Sequence, residues 1–227
     1  MVNIDKHISH WRNGAEEDFE VADQLIRSGK IRHGLFFLHL TLEKILKAHV
    51  CLNSGDIAPN LHNLSRLAEL SGITFRQEHS DFLAEMNPLN IEGRYPEMWG
   101  TGSVRGRGGH TDTENRRIIR MAEESVIISV RKYLNELLRI GVPVRFGIMF
   151  GSHARKNTHR WSDIDLLVIS SLYDESCSRE DINLLWRTAA RTDNRIEPVP
   201  VGLNCWETDD GSTIIEIARR EGIRVTV

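Results

Sequence analysis

Cysteine is scarce in this chain, and its scarcity is the first constraint. Cys51, Cys177 and Cys205 are odd in number and widely spaced, so they match neither a disulfide framework nor a zinc-binding pattern. They suit a reducing compartment. Long apolar runs are missing as well: nothing approaches the ~18 residues of a membrane span, and the N-terminus lacks the apolar region of a secretory signal. The expectation is a cytoplasmic protein with no membrane segment. Nor is there an excess of positive charge. A formal net charge of −3 and a pI near 6.4 give no global attraction to nucleic acid and leave only local basic patches. The ten histidines include no His-x-x-x-His pair arranged with a carboxylate as a zinc site. What remains is an ordinary globular composition, 40% hydrophobic and 27% charged, over a length that admits one large domain or two small ones.

Two stretches late in the chain carry the chemistry: Phe150-Gly151-Ser152-His153-Ala154-Arg155, and Ser162-Asp163-Ile164-Asp165 running into Leu166-Leu167-Val168-Ile169. Val144, Phe146, Ile148, Met149 and Phe150 read as a strand that stops at Gly151. Gly147 inside it marks a bulge or a close backbone approach. Gly151 lets backbone come near a ligand, and Ser152 adds a hydroxyl beside amides that a turn or helix start leaves free for phosphate. Side chains two apart on a strand share a face, so Asp163 and Asp165 are expected to point together, with Ile164 turned into a core. Two carboxylates side by side repel unless a divalent cation sits between them. The apolar run after them suits a central strand buried on both faces. Arg155, Lys156 and Arg160 lie between the turn and the carboxylates, and each either meets phosphate charge or is a solvated surface charge.

Gly-Ser-x-Ala-Arg followed by Ser-Asp-Ile-Asp-Leu-Leu-Val resembles the signature of minimal nucleotidyltransferases in the polymerase beta superfamily, which includes kanamycin nucleotidyltransferase. The resemblance runs from about Val144 to the C-terminus. It implies nucleotide contacts at Gly151, Ser152, Arg155, Lys156 and Ser162, and a third carboxylate on a later strand. Within Arg195-Ile196-Glu197-Pro198-Val199-Pro200-Val201 that carboxylate is Glu197; the other reading is an exposed edge-strand glutamate, since the two prolines cannot donate ladder hydrogen bonds. Asp163, Asp165 and Glu197 would then be the catalytic metal ligands for Mg2+ or Mn2+, with a nucleoside triphosphate, ATP by default, as substrate.

Residues 1–140 read as helical. Ala15, Phe19, Ala22 and Ile26 recur at helical spacing until Ser28-Gly29-Lys30. From Ile31 to about Leu52 a denser set, Leu35, Leu38, Leu42, Ile45, Leu46 and Val50, predicts the most buried helix. Shorter helices follow to Leu70 and over Gln77–Met86, the latter ended by Asn87-Pro88. Periodicity then vanishes between Asn87 and His110, a length of loop that is usually functional or disordered. A last helix runs from near Thr111-Asp112-Thr113 to about Arg139, and Gly141 and Pro143 mark a domain boundary.

Trp11, Ala15-Glu16-Glu17-Asp18, His39 to Ala48, His62-Asn63-Leu64 and Arg94-Tyr95-Pro96 resemble the HEPN domain, a helical domain often fused to minimal nucleotidyltransferases. That resemblance implies a homodimer whose bundle borders the transferase cleft. Many HEPN domains are ribonucleases with an Arg and a His separated by four to six residues, and Arg105 and His110 stand at that spacing. The other reading of Gly-Arg-Gly-Gly between them is a mobile loop near the active site. Glu43, a carboxylate on the densest apolar helix, either serves as a general base or pairs with Lys47 four residues on.

After the Asp163–Asp165 strand, a helix over Asp181–Arg191, the Glu197 strand, a helix over Ser212–Arg220 and a strand from Ile223 complete a small mixed sheet. The expected fold class is α+β: a HEPN-like helical bundle over 1–140, then a mixed-sheet α/β nucleotidyltransferase domain over 141–227. The expected reaction moves a nucleoside monophosphate to a hydroxyl of a small molecule, protein or RNA, with a HEPN ribonuclease or toxin-antitoxin type module as the alternative.

Overall fold

A computed structural model describes residues 3–90, 115–155, 158, 161–209 and 212–227. By internal contacts the chain divides into residues 1–95 and 96–227. The first unit begins with two long helices, α1 (Ile4–Arg27) and α2 (Ile31–Ser54). The Asn3 side chain caps α1 by accepting from the Lys6 amide, and Gly29, at φ +79°, makes the turn. Small residues let the pair pack closely: a Cβ on Gly34 would stand 2.5 Å from Ile26 and 3.1 Å from the Ala22 carbonyl oxygen. Lys44 locks the register, reaching Asp18 at 2.6 Å and donating to the Gly14 carbonyl. Two shorter helices follow, α3 (Leu64–Leu70) and α4 (Gln77–Met86). Asn87, just past α4, accepts from the Leu64 amide and so ties the end of one helix to the start of the other.

The inward face of α2 departs from the expected apolar stripe. Ile45 and Leu52 are exposed, whereas His39, Glu43 and Lys47, spaced four apart on one face, are buried. Burial of these charges is tolerated because each is answered. Glu43 accepts from Lys47 Nζ at 2.7 Å and from His62 Nδ1 at 3.0 Å, His39 Nδ1 donates to the Met86 carbonyl, and Lys47 Nζ lies 5.0 Å above the Trp11 ring. Of the two readings for Glu43, the pair with Lys47 is present. Burial pushes the Glu43 carboxyl up, but the bonds from His62 and Lys47 outweigh it and hold the group at about 2.

The second unit holds α5 (Asn115–Arg139), β1 (Val144–Met149), the one-turn α6 (Gly151–Ala154), β2 (Ile164–Ser170), α7 (Arg179–Thr192), β3 (Ile196–Gly202), α8 (Leu203–Thr208), α9 (Thr213–Glu221) and β4 (Ile223–Val225). The sheet is mixed, in the order β3-β2-β1-β4; β2 and β3 are parallel, and β1 is antiparallel to both its neighbours. β2 is internal, as its apolar run requires. One face packs Val126, Val130, Tyr133, Leu134 and Leu137 of α5, with Leu185 and Ala189 of α7, onto Met149, Ile164, Leu166 and Val168. The other face joins Phe146, Ile148, Leu167, Ile169, Val199 and Val201 to Ile215 and Ala218 of α9, with Trp206 of α8 beside them. Gly147 is a close approach: a Cβ there would lie 2.9 Å from Leu134 and 3.1 Å from Leu166. The register slips earlier, between Val144 and Phe146, while Gly147 itself pairs regularly with Val168, so at Gly147 the close approach is the reading that holds.

The fold is α+β, helix-rich at the N-terminus with a four-stranded mixed sheet behind it. The boundary expected at 140/141 differs from the division by contacts, because the helix expected to close the bundle buries its described apolar stripe on the sheet. Helix α8 was not expected; Asp174 caps it by accepting from the Asn204 amide at 2.7 Å, a long-range partner that local periodicity does not reveal.

Glu43→Ala should cost about 3–5 kcal/mol, since it strands a buried ammonium, whereas Glu43→Leu combined with Lys47→Met should recover most of that loss. Chemical denaturation of the three proteins checks this. The Glu43 contribution is present above the carboxyl's ordinary 4.5 and is lost as pH falls toward 2, so the difference between wild type and the double variant should shift over that range.

Candidate active site

The site forms where β1 ends and β2 begins. The Phe150 amide donates to the Asp165 carbonyl at 3.0 Å, which sets the turn after β1 alongside the first residues of β2. Gly151 then takes φ +69° and opens α6, a single turn closed by the Arg155 amide on the Gly151 carbonyl. No other residue type fits at Gly151. A Cβ there would lie 2.0 Å from Asp165 Oδ2, so the Asp165 carboxylate rests on the bare Cα face of the glycine.

Asp165 pairs in register with Glu197 on the parallel neighbour β3. Alternation places both on the sheet face that carries Leu167, Ile169, Val199 and Val201. Ile164 is fully buried on the opposite face, as expected. Asp163 precedes the first residue of β2, is half-buried, and raises the Asp165 carboxyl through its charge. Burial is the larger cause. Together they push Asp165 up to about 7, against an opposing pull from Arg155.

Glu197 is half-buried on β3, which is an edge strand carrying Pro198 and Pro200. Of the exposed edge-strand reading, the edge placement holds but the exposure does not, and across the sheet Glu197 faces Asp165 in register. Ser152 is half-buried on α6 and Ser162 is buried just ahead of Asp163. Arg155 is half-exposed, with its Nη1 3.6 Å from Glu221 Oε2 on α9. Nothing in the sequence beyond a charge near a helix end pointed to Glu221. Lys156, Arg160, Arg105 and His110 lie outside the described residues. Among the described residues no group of three His, Cys, Asp or Glu side chains is gathered to hold a metal ion, so the three carboxylates do not form a ready cage. The donor chemistry nevertheless suits a hard cation, because a buried carboxyl raised by its carboxylate neighbour is relieved by a positive charge between them.

At the turn after β1 a positive-φ glycine lies against an aspartate of β2, on a mixed sheet covered by helices on both faces. The HEPN domain model matches residues 8–147, and the nucleotidyltransferase domain model matches residues 128–199. The chain belongs to the HEPN-domain family and carries a nucleotidyltransferase domain after its helical part. The HEPN match includes α5, which by contacts goes with the sheet. No curated protein and no solved structure matches the chain. Among the described residues, no helix is long and apolar enough to cross a membrane.

Two predictions follow from Gly151 and Asp165. Gly55 and Gly151 share nearly the same φ, 66° and 69°, but a Cβ on Gly55 meets nothing within 4 Å. Gly55→Ala should therefore cost about 1 kcal/mol of backbone strain, and Gly151→Ala should cost about 2 kcal/mol more because Asp165 must move. Equilibrium unfolding measures the difference. For Asp165, a carboxyl raised in the fold stabilises fully below its ordinary 3.8, and that stability is lost as pH rises through about 7. Asp165→Asn should gain about 2 kcal/mol at pH 8 and nothing near pH 3.5, read from melting curves across that range.

Proposed function

We propose that the second unit is a metal-dependent nucleotidyltransferase that moves a nucleoside monophosphate, AMP from ATP as the default, to an acceptor hydroxyl on a small molecule, protein or RNA. The observation that carries this reading is Asp165 seated against Gly151 with Glu197 beside it in register and Asp163 close enough to raise it. A bound Mg2+ or Mn2+ would neutralise charge on the leaving pyrophosphate and lower the pKa of the acceptor hydroxyl. Asp163, Asp165 and Glu197 are the side chains to hold it. Gly151 leaves the backbone open to a close approach by the outer phosphates, Ser152 offers a hydroxyl beside them, and Ser162 and Arg155 flank the seat, with Lys156 completing the expected set.

We assign the helical part to homodimer formation, on the strength of its match to the HEPN domain. The unbridged cysteines support a cytoplasmic location.

Incubating the full chain with each α-labelled nucleoside triphosphate, Mg2+ and a host lysate should label an acceptor and release pyrophosphate. Asp163→Asn, Asp165→Asn and Glu197→Gln should each reduce labelling by at least about 100-fold, the scale expected when a group that stabilises the transition state is removed. Unchanged labelling in the aspartate variants would overturn the assignment.

A further inference from the structure

In the helical unit, the two oxygens of the Glu43 carboxylate serve different partners. Oε1 accepts from Lys47 Nζ at 2.7 Å and Oε2 from His62 Nδ1 at 3.0 Å, with His39 Nε2 3.8 Å from the same Oε2. A carboxylate engaged on both oxygens is a poor base, so of the pair it is His62 that can work on a ligand. An ionised carboxylate only accepts hydrogen bonds, which places the proton of a neutral His62 on Nδ1 and the lone pair on Nε2. An imidazole in water prefers the opposite tautomer. The Glu43 side chain is 7% exposed and the His62 side chain 35%, so the carboxylate end of the pair is dry while the imidazole end can be reached from solvent.

The ring is also held through its backbone. Leu61 and Asn63 on either side of His62 are buried; the Leu61 amide donates to the Pro59 carbonyl, the Asn63 side chain caps α3 by accepting from the Arg66 amide, and the Leu64 amide donates to Asn87 past the end of α4. On the far side of the carboxylate, Lys47 Nζ lies 5.0 Å from the centre of the Trp11 ring of α1 and keeps the countercharge in place. A buried carboxylate that fixes one imidazole nitrogen and leaves the lone pair on the other is the arrangement that orients a histidine for proton transfer. We propose that Glu43 and His62 form such a dyad in the helical unit, with Glu43 as the positioning residue and His62 Nε2 as the proton acceptor for a hydroxyl-bearing ligand. Nε2 takes the hydroxyl proton, the hydroxyl oxygen keeps the electron pair of the broken O–H bond, and the imidazolium so formed lies against ionised Glu43. This inference lies within the first unit and does not depend on the nucleotidyltransferase reading.

Imidazole 15N NMR of the full chain near pH 8, where an ordinary histidine is neutral, reads which ring nitrogen carries the proton, and His62→Asn assigns the resonances. Wild-type His62 should carry it on Nδ1. In Glu43→Leu combined with Lys47→Met, the variant expected above to keep most of the stability, the proton should move to Nε2. A purely structural role for the network would leave the second readout unmoved: hydrolysis of ethyl dichloroacetate, an ester that imidazole hydrolyses by taking a proton from water, should fall about tenfold in the double variant and in His62→Asn, the scale on which loss of the group behind an imidazole is felt. A wild-type proton on Nε2, an unchanged tautomer in the double variant, or ester hydrolysis equal to wild type in either variant would each overturn the proposal.

Discussion

The contact between the Gly151 Cα and the Asp165 carboxylate is the constraint on which the site depends. It requires a residue without a Cβ, a left-handed backbone, and a β1–β2 pairing that stops within two residues of both. Each requirement is met by a different level of structure. Glycine supplies the first two, while the Phe150 amide on the Asp165 carbonyl supplies the third. Loss of any one separates the turn after β1 from Asp165.

The energetics of that contact run against stability. A carboxyl raised to about 7 is one the fold would rather keep neutral, and Asp163 increases the cost. The surrounding sheet can absorb it, because β2 is flanked by strands and covered on both faces, with Ile164, Leu166, Leu167, Val168 and Ile169 fully buried immediately beyond. A functional site that is destabilising by itself needs such a neighbourhood. The buried charges of the helical unit are of another kind. Glu43 has its hydrogen-bond partners in place and is held low at about 2, whereas at Asp165 burial and the Asp163 charge outweigh a backbone hydrogen bond and the pull of Arg155.

Much of this was legible in the sequence where a residue's role is local. Alternation placed Asp165, Ile164 and the apolar run of β2, and punctuation by Gly29, Asn87 and Gly151 ended the right elements. The polar stripe of α2 was harder to read. Spacing alone shows that His39, Glu43 and Lys47 share a face, but which face turns inward depends on His62 and Met86, which come from other elements. Helix α8 was missed for a similar reason, since its cap is Asp174, thirty residues before Asn204. The domain boundary drawn at residue 140 followed the helical pattern, and the described stripe of α5 lies on the sheet. Period alone does not say which surface a helix will cover.

Glu221 shows the same limit at the site itself. Its sequence context, Arg219-Arg220-Glu221-Gly222, reads as a solvated helix end. The antiparallel return of β4 along β1, a pairing between residues more than seventy positions apart, brings the end of α9 to Arg155. The last strand is only three residues long and adds little to the sheet by itself. Its position explains more than its length, because a short edge strand suffices to carry the Glu221 carboxylate to within 3.6 Å of Arg155 at the turn after β1.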